Sequence, residues 1–192
     1  MKKLFFIISL IFLSITSSYA VFFIDAQGDY IATGELEPVT GGALGIGFSI
    51  TDDLNFLIKS AYASNTEKKG KDDEFKYNYS YVTGGIEYIP PVAVLEEYRI
   101  YWKNSLNIGP STIEGEYPKA EDSEKKSEDG YICSFWTGLQ FNLTQYIAPY
   151  FDLGYHKSFF ASDVDVSIKG WQVAAGIRFY IGGSRDYDAN YK

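Results

Sequence analysis

From residue 42 to residue 50 the chain alternates small residues (Ala43, Gly45, Gly47, Ser49) with large apolar ones (Leu44, Ile46, Phe48, Ile50). A helix would scatter that apolar row around its circumference, whereas a strand gathers it on one face. Leu54, Phe56, Ile58 and Tyr62 repeat the pattern against Asn55, Lys59, Ala61 and Ala63, with Leu57 the exception. Thr51-Asp52-Asp53 between the two rows predicts a tight hairpin connection. The same period of two runs through residues 21–32, where Phe22, Ile24, Ala26 and Tyr30 oppose Asp25, Gln27 and Asp29. In 77–89, Val82, Ile86 and Tyr88 oppose Thr83, Gly85 and Glu87, while Tyr77, Tyr79 and Tyr81 read as an aromatic upper end or a bulge. In 98–108, Tyr98, Ile100, Trp102, Leu106 and Ile108 oppose Arg99, Tyr101, Lys103, Ser105 and Asn107. Segments 131–143, 147–156 and 169–181 complete a set of eight predicted strands.

The connections between these strands alternate in length. Residues 51–53 and 144–146 are short and 90–97 moderate, whereas 34–40, 65–75, 109–129 and 157–168 are longer and mostly more polar. In a meander this gathers the long loops at one end and the short turns at the other. The 109–129 connection carries Glu114, Glu116, Glu121, Asp122, Glu124, Glu128 and Asp129 against Lys119, Lys125 and Lys126, which reads as an acidic, solvated loop.

At 192 residues the chain fits one domain with a sizeable core. Its 17 basic and 25 acidic residues leave a formal charge of −8, and no basic stripe free of acids is present, which argues against a nucleic-acid partner. One cysteine (Cys133) cannot close an intrachain disulfide, and one histidine (His156) rules out a His-rich metal site. No cofactor is implied. Lys2 and Lys3, the apolar run 4–13 and Ser18-Tyr19-Ala20 form the charged, apolar and cleavage regions of a signal peptide spanning 1–20, cleaved after Ala20. Ten apolar residues are too few for a spanning helix, which needs about 20. Beyond residue 20 no apolar run reaches that length, so a membrane role falls to strands.

A signal peptide, eight strands of period two and alternating connections resemble the small eight-stranded outer-membrane β-barrels of Gram-negative-type bacteria, the OmpA-like and OmpX-like group. The resemblance covers residues 21–183 and rests on Gly-Ala-Leu-Gly-Ile-Gly-Phe (42–48), Gly-Leu-Gln-Phe-Asn-Leu-Thr (138–144), Pro-Tyr-Phe-Asp-Leu-Gly-Tyr (149–155) and Ala-Gly-Ile-Arg-Phe-Tyr (175–180). It implies an all-β, antiparallel, up-and-down transmembrane barrel in the cell outer membrane. It also implies contact with outer-membrane lipids and with the barrel assembly machinery, and loops open to a host or envelope surface partner. Such barrels end on an aromatic residue that the assembly machinery reads, whereas this chain continues past Phe179 and Ile181 into a short polar tail, 184–192.

Large, aromatic-ended apolar rows suit a lipid-facing band, and the opposite rows of Gly, Ala, Ser and charges suit a narrow lumen. A lipocalin-like soluble barrel would need the reverse arrangement. On the membrane reading the lumen collects Asp25, Asp29, Glu87 and Asp152 with Lys59, Arg99, Lys103 and Arg178, a balanced network that would plug the interior. His156, Lys157 and Ser158 stand at the loop end of the seventh strand and resemble the His-x-Ser of outer-membrane lipid A deacylases. Here Phe159-Phe160 replace that family's Asn-Ala, and the orienting acid would be Asp163 or Asp165. Those two aspartates also resemble half a calcium loop, but its closing Glu is missing. Cys133 falls on the apolar row as an inert thiol. These residues together predict a non-enzymatic surface barrel serving adhesion or envelope stability. A deacylase-like enzyme and a soluble ligand carrier are the alternatives.

Overall fold

The computed structural model of the protein describes residues 21–33, 37–67, 75–116, 125–160 and 168–182. Eight strands follow in order: β1 (Phe22–Ile31), β2 (Val39–Ser49), β3 (Leu54–Glu67), β4 (Phe75–Tyr88), β5 (Ile100–Glu116), β6 (Lys125–Phe141), β7 (Ile147–Phe160) and β8 (Lys169–Ile181). One short helix, α1 (Ala93–Glu96), joins β4 to β5. Each strand pairs antiparallel with the next and β8 pairs back to β1, so the sheet closes on itself. Both the predicted signal peptide and the predicted tail lie outside the described residues.

The wall's geometry can be followed along one line of partners. Phe22, Phe48, Phe56, Ile86, Leu106, Phe135, Tyr155 and Trp171 are successive cross-strand neighbours. Trp171 O then accepts the backbone N–H of Ala32, so one circuit from Phe22 returns to β1 ten residues higher. Such a stagger on eight strands goes with a tilt of about 35–45° and leaves an interior that side chains can fill. No ladder changes register. The β4–β5 ladder skips Val82 and Thr83, which lie opposite Pro110 and Gly109, because proline has no N–H to give. The bulge considered at 77–81 is therefore absent, and Tyr77, Tyr79 and Tyr81 face inward, buried.

The outward face carries an apolar belt of Ile24, Leu44, Ile46, Ile58, Val82, Ile86, Leu106, Phe135, Leu153 and Ile177, all exposed, with Leu44 at 66%. Half-buried Val173 continues it on β8. Aromatic rings bound the belt. At the short-turn end Phe48 packs on Phe22 and Phe56 with centroids 6.1 and 5.5 Å apart, beside Tyr88, Tyr146 and Phe179. At the other end stand Tyr30, Tyr62, Tyr131, Tyr155 and Trp171, the last two edge-to-face at 5.6 Å. From Phe22 to Tyr30, with the strand tilt, the two girdles are about 20 Å apart, close to the apolar height of an outer-membrane barrel. The interior is mostly polar below and apolar above, so the inside-out distribution of a soluble barrel with an apolar cavity is not what the chain adopts.

Large inward side chains are accommodated by glycines directly across the ladder. Trp136 lies over Gly154, Tyr150 over Gly176, Phe23 over Gly47 and Asp25 beside Gly45. A Cβ added at Gly154 would come within 2.6 Å of the Trp136 ring. Gly154→Val should therefore cost about 1–3 kcal/mol through overpacking. Urea titration of the refolded protein in detergent micelles would measure it, and an unchanged midpoint would show that Trp136 has room to move.

The strands differ from the predicted ones in two respects. The 109–129 segment is not one long loop: β5 continues to Glu116, β6 starts at Lys125, and the ladder runs from Gly109↔Ile132 to Glu116↔Lys125. Strand likewise extends through Asn65 and Thr66, from Phe75, and from Lys157 to Phe160. Above the upper girdle the outward face meets no apolar surroundings, so its residues turn polar and the alternation of hydrophobicity ends where the strand does not. Second, the strand drawn from residue 98 begins at Ile100. Tyr98 N–H and Arg99 N–H bond to Leu95 O and Glu96 O as the end of the α1 turn, and Arg99 has a φ of 57°.

Candidate functional site

Side-chain parity on the strands puts Asp25, Asp29, Lys59, Glu87, Lys103, Asp152 and Arg178 inside the barrel, each less than a tenth exposed. Arg178, fully buried, is the hub. Its Nε and Nη2 donate to Asp25 Oδ1 and Oδ2 at 2.8 and 2.9 Å, while Nη1 and Nη2 donate to Glu87 Oε1 and Oε2 at 2.6 and 3.1 Å. One planar guanidinium thus holds two carboxylates in paired fork bonds, which an ammonium could not do. Asn55 Nδ2 donates to Glu87 Oε1 at 2.9 Å, and Phe23 closes the other side with its ring 3.8 Å from the Arg178 Cζ. Lys103 donates to Asp152 at 2.8 Å, lies 3.8 Å from Glu87 and sits 3.7 Å over the Tyr150 ring.

The remaining pair meets through a relay. Lys59 Nζ donates to Gln27 Oε1 at 2.8 Å, Tyr150 OH donates to the same oxygen at 2.9 Å, and the Gln27 amide N donates to Asp29 Oδ1. Arg99 is the one predicted member that does not stand on a strand. It lies half-buried after α1, below the strand, because the helical turn resets the parity that a strand from residue 98 would have had. Among the described residues the buried charges are then four acids and three bases rather than a balanced eight. The sequence reading missed Gln27, Asn55, Tyr150 and Phe23 as partners. Their inward parity was readable, but their heights in the barrel were not.

Above the charges lies a neutral polar level with Asn107, Ser134, His156 and Gln172, and above that an apolar cap. The cap joins Ile31, Val39, Ala63, Tyr77, Tyr79, Ile132 and Ile168, with Ile113 and Phe160 packed against it. Charge layer and cap together fill the bore at two heights.

His156 and Ser158 both face inward and are buried. Ser158 Oγ is bonded to the Tyr79 hydroxyl, and no hydrogen bond joins it to His156. A nucleophile needs its base within hydrogen-bond reach, and a lipid substrate in the surrounding leaflet would meet the outward face, not this one. Asp163 and Asp165 lie outside the described residues. Among the described residues no cluster of three His, Cys, Asp or Glu side chains could hold a metal ion, and Cys133 is half-buried on the outward face.

No family model and no curated protein sequence matches the chain. Solved structures do. Ail, the attachment invasion locus protein of Yersinia pestis, is 15% identical with a TM-score of 0.54, covering 84% of this chain and 97% of its own. Neisserial surface protein A is 16% identical with the same TM-score and coverage. A major outer membrane protein from Thermus thermophilus is 13% identical with a TM-score of 0.57, covering 85% of this chain and 100% of its own. The fold is that of the small outer-membrane β-barrels, as the strand pattern predicted.

Proposed function

We propose that this protein is an integral outer-membrane barrel, exported by the signal peptide 1–20 and inserted by the barrel assembly machinery. It carries no enzymatic centre and passes no solute, and it holds acidic segments at the cell surface for attachment or envelope stability. The single observation that supports this best is the combination of an apolar, aromatic-bounded exterior with an interior closed by the Arg178 network. Charges so confined must be paired or incur several kcal/mol of desolvation each, and an ion crossing them would have to break the pairs. The surface role is supported by the girdle-topping extensions of β3 to β6, which carry Glu114 and Asp129 beyond the membrane band. Among proteins of this fold, Ail is by name an attachment protein.

The protein should fractionate with membranes, migrate heat-modifiably on gels and give little or no steady conductance in planar bilayers. Deleting residues 117–124 and inserting Asn-Gly in their place should spare folding, since Glu116 and Lys125 are already ladder partners and a two-residue turn can join them. Attachment of intact cells to a polylysine-coated surface should fall with that deletion and weaken as salt rises. A large, stable conductance would overturn the plug, and unchanged attachment would overturn the surface role.

A further inference from the structure

Lys157 on β7 and Lys169 on β8 are direct cross-strand partners, and both are exposed on the outward face. Directly paired side chains have Cβ atoms about 4.5–5.5 Å apart, and like charges in that relation repel. The next outward residues below them are Tyr155 and Trp171, the edge-to-face pair of the upper girdle. The outward neighbours on β6 are Tyr131 and Cys133, and Phe159 lies above with its ring 4.7 Å from Lys157 Nζ. Among the described residues no carboxylate pairs with either lysine. Two ammonium groups are thus held side by side on a stretch of wall whose described outward neighbours are mostly aromatic, at the height where interfacial rings meet lipid headgroups.

We propose that Lys157 and Lys169 form a binding site for the phosphate group of an anionic lipid in the leaflet at the long-loop end, a role that rests on the outer-membrane reading. A phosphate oxygen can accept from each ammonium, which turns the cross-strand repulsion into two charge-assisted bonds. The aliphatic stems lie along the wall while the heads reach the interface, as lysines at membrane boundaries do. Tyr155, Trp171 and Phe159 flank the position where the glycerol or sugar part of the headgroup would rest, and the acyl chains continue down the belt past the paired Leu153 and Val173.

The test is native mass spectrometry of the full, refolded protein in detergent micelles with dioleoyl phosphatidic acid, phosphatidylcholine or oleate added in turn. One phosphatidic acid should survive collisional activation that strips phosphatidylcholine and oleate. The Lys157→Gln/Lys169→Gln double variant should lower that retention about tenfold. Lys157→Arg/Lys169→Arg should keep it, and Lys126→Gln, which removes one positive charge higher on β6, should not change it. Heat-modifiable migration of the same samples reports the barrel separately. A folded wild type that holds phosphatidic acid no better than phosphatidylcholine, or a folded double variant that retains it, overturns the site. Displacement by equimolar glycerol 3-phosphate would show a site for soluble phosphate esters and overturn the lipid assignment. Retention of oleate equal to that of phosphatidic acid would overturn the assignment to phosphate.

Discussion

Replacing Arg178 by Met should destabilise the barrel by about 3–5 kcal/mol, because it leaves Asp25 and Glu87 charged, buried and without their shared cation. The side chain is fully buried and makes four hydrogen bonds to those two carboxylates, and Lys103 at 3.8 Å from Glu87 is already committed to Asp152. Arg178→Lys should recover only a fraction, since one ammonium cannot meet two carboxylates in fork geometry. Arg178→Met combined with Asp25→Asn and Glu87→Gln should recover much more, because the penalty belongs to the unpaired charges and not to the loss of the pair itself. The coupling among these sites should therefore be strongly non-additive. Urea unfolding in lipid vesicles, followed by tryptophan fluorescence, reads all four proteins on one scale. A cost below about 1 kcal/mol for the single variant would mean that water reaches the network and that the lumen is not sealed at this height.

The separation of faces was legible in the sequence because the outward row must stay apolar for as long as it meets the belt. β8 is the clearest case: Trp171, Val173, Ala175, Ile177, Phe179 and Ile181 run without a break, and the strand's observed bounds are the predicted ones. The upper parts of β5 and β6 were read as loop for the same reason. Beyond Ile108 and Tyr131 both faces of the hairpin are mostly polar, so hydrophobicity stops alternating although the backbone continues. Arg99 shows a second limit. Parity carried backwards from Lys103 assigns it to the lumen, but a four-residue helix and a positive φ intervene, and Ala-Val-Leu-Glu is too short a segment to declare itself. The Arg178 hub shows a third. Asp25 and Glu87 lie 153 and 91 residues away along the chain. Parity says that all three face inward, but only the ten-residue stagger of the closed wall brings them to one height. Deducing that stagger requires every register at once.

Placing Arg at Ile46 should cost about 2–4 kcal/mol in a bilayer, whereas the same residue at Thr40 should cost about 0–1 kcal/mol. Both positions are on β2 and both are exposed, so burial against other protein atoms cannot separate them. What differs is height. Ile46 lies near the middle of the belt, between Ile24 on β1 and Ile58 on β3, while Thr40 is the ladder partner of Tyr30 and Ser64 at the upper girdle. In water the 60% exposed Ile46 would tolerate Arg within about 0.5 kcal/mol, as surface positions generally do. The sign of the prediction thus depends on the solvent around the barrel and not on its fold. Folding yield and urea midpoint of the two variants in lipid vesicles measure the difference directly. Equal, small costs at Ile46 and Thr40 would mean that the apolar belt faces something other than lipid, and the outer-membrane reading would fall with it.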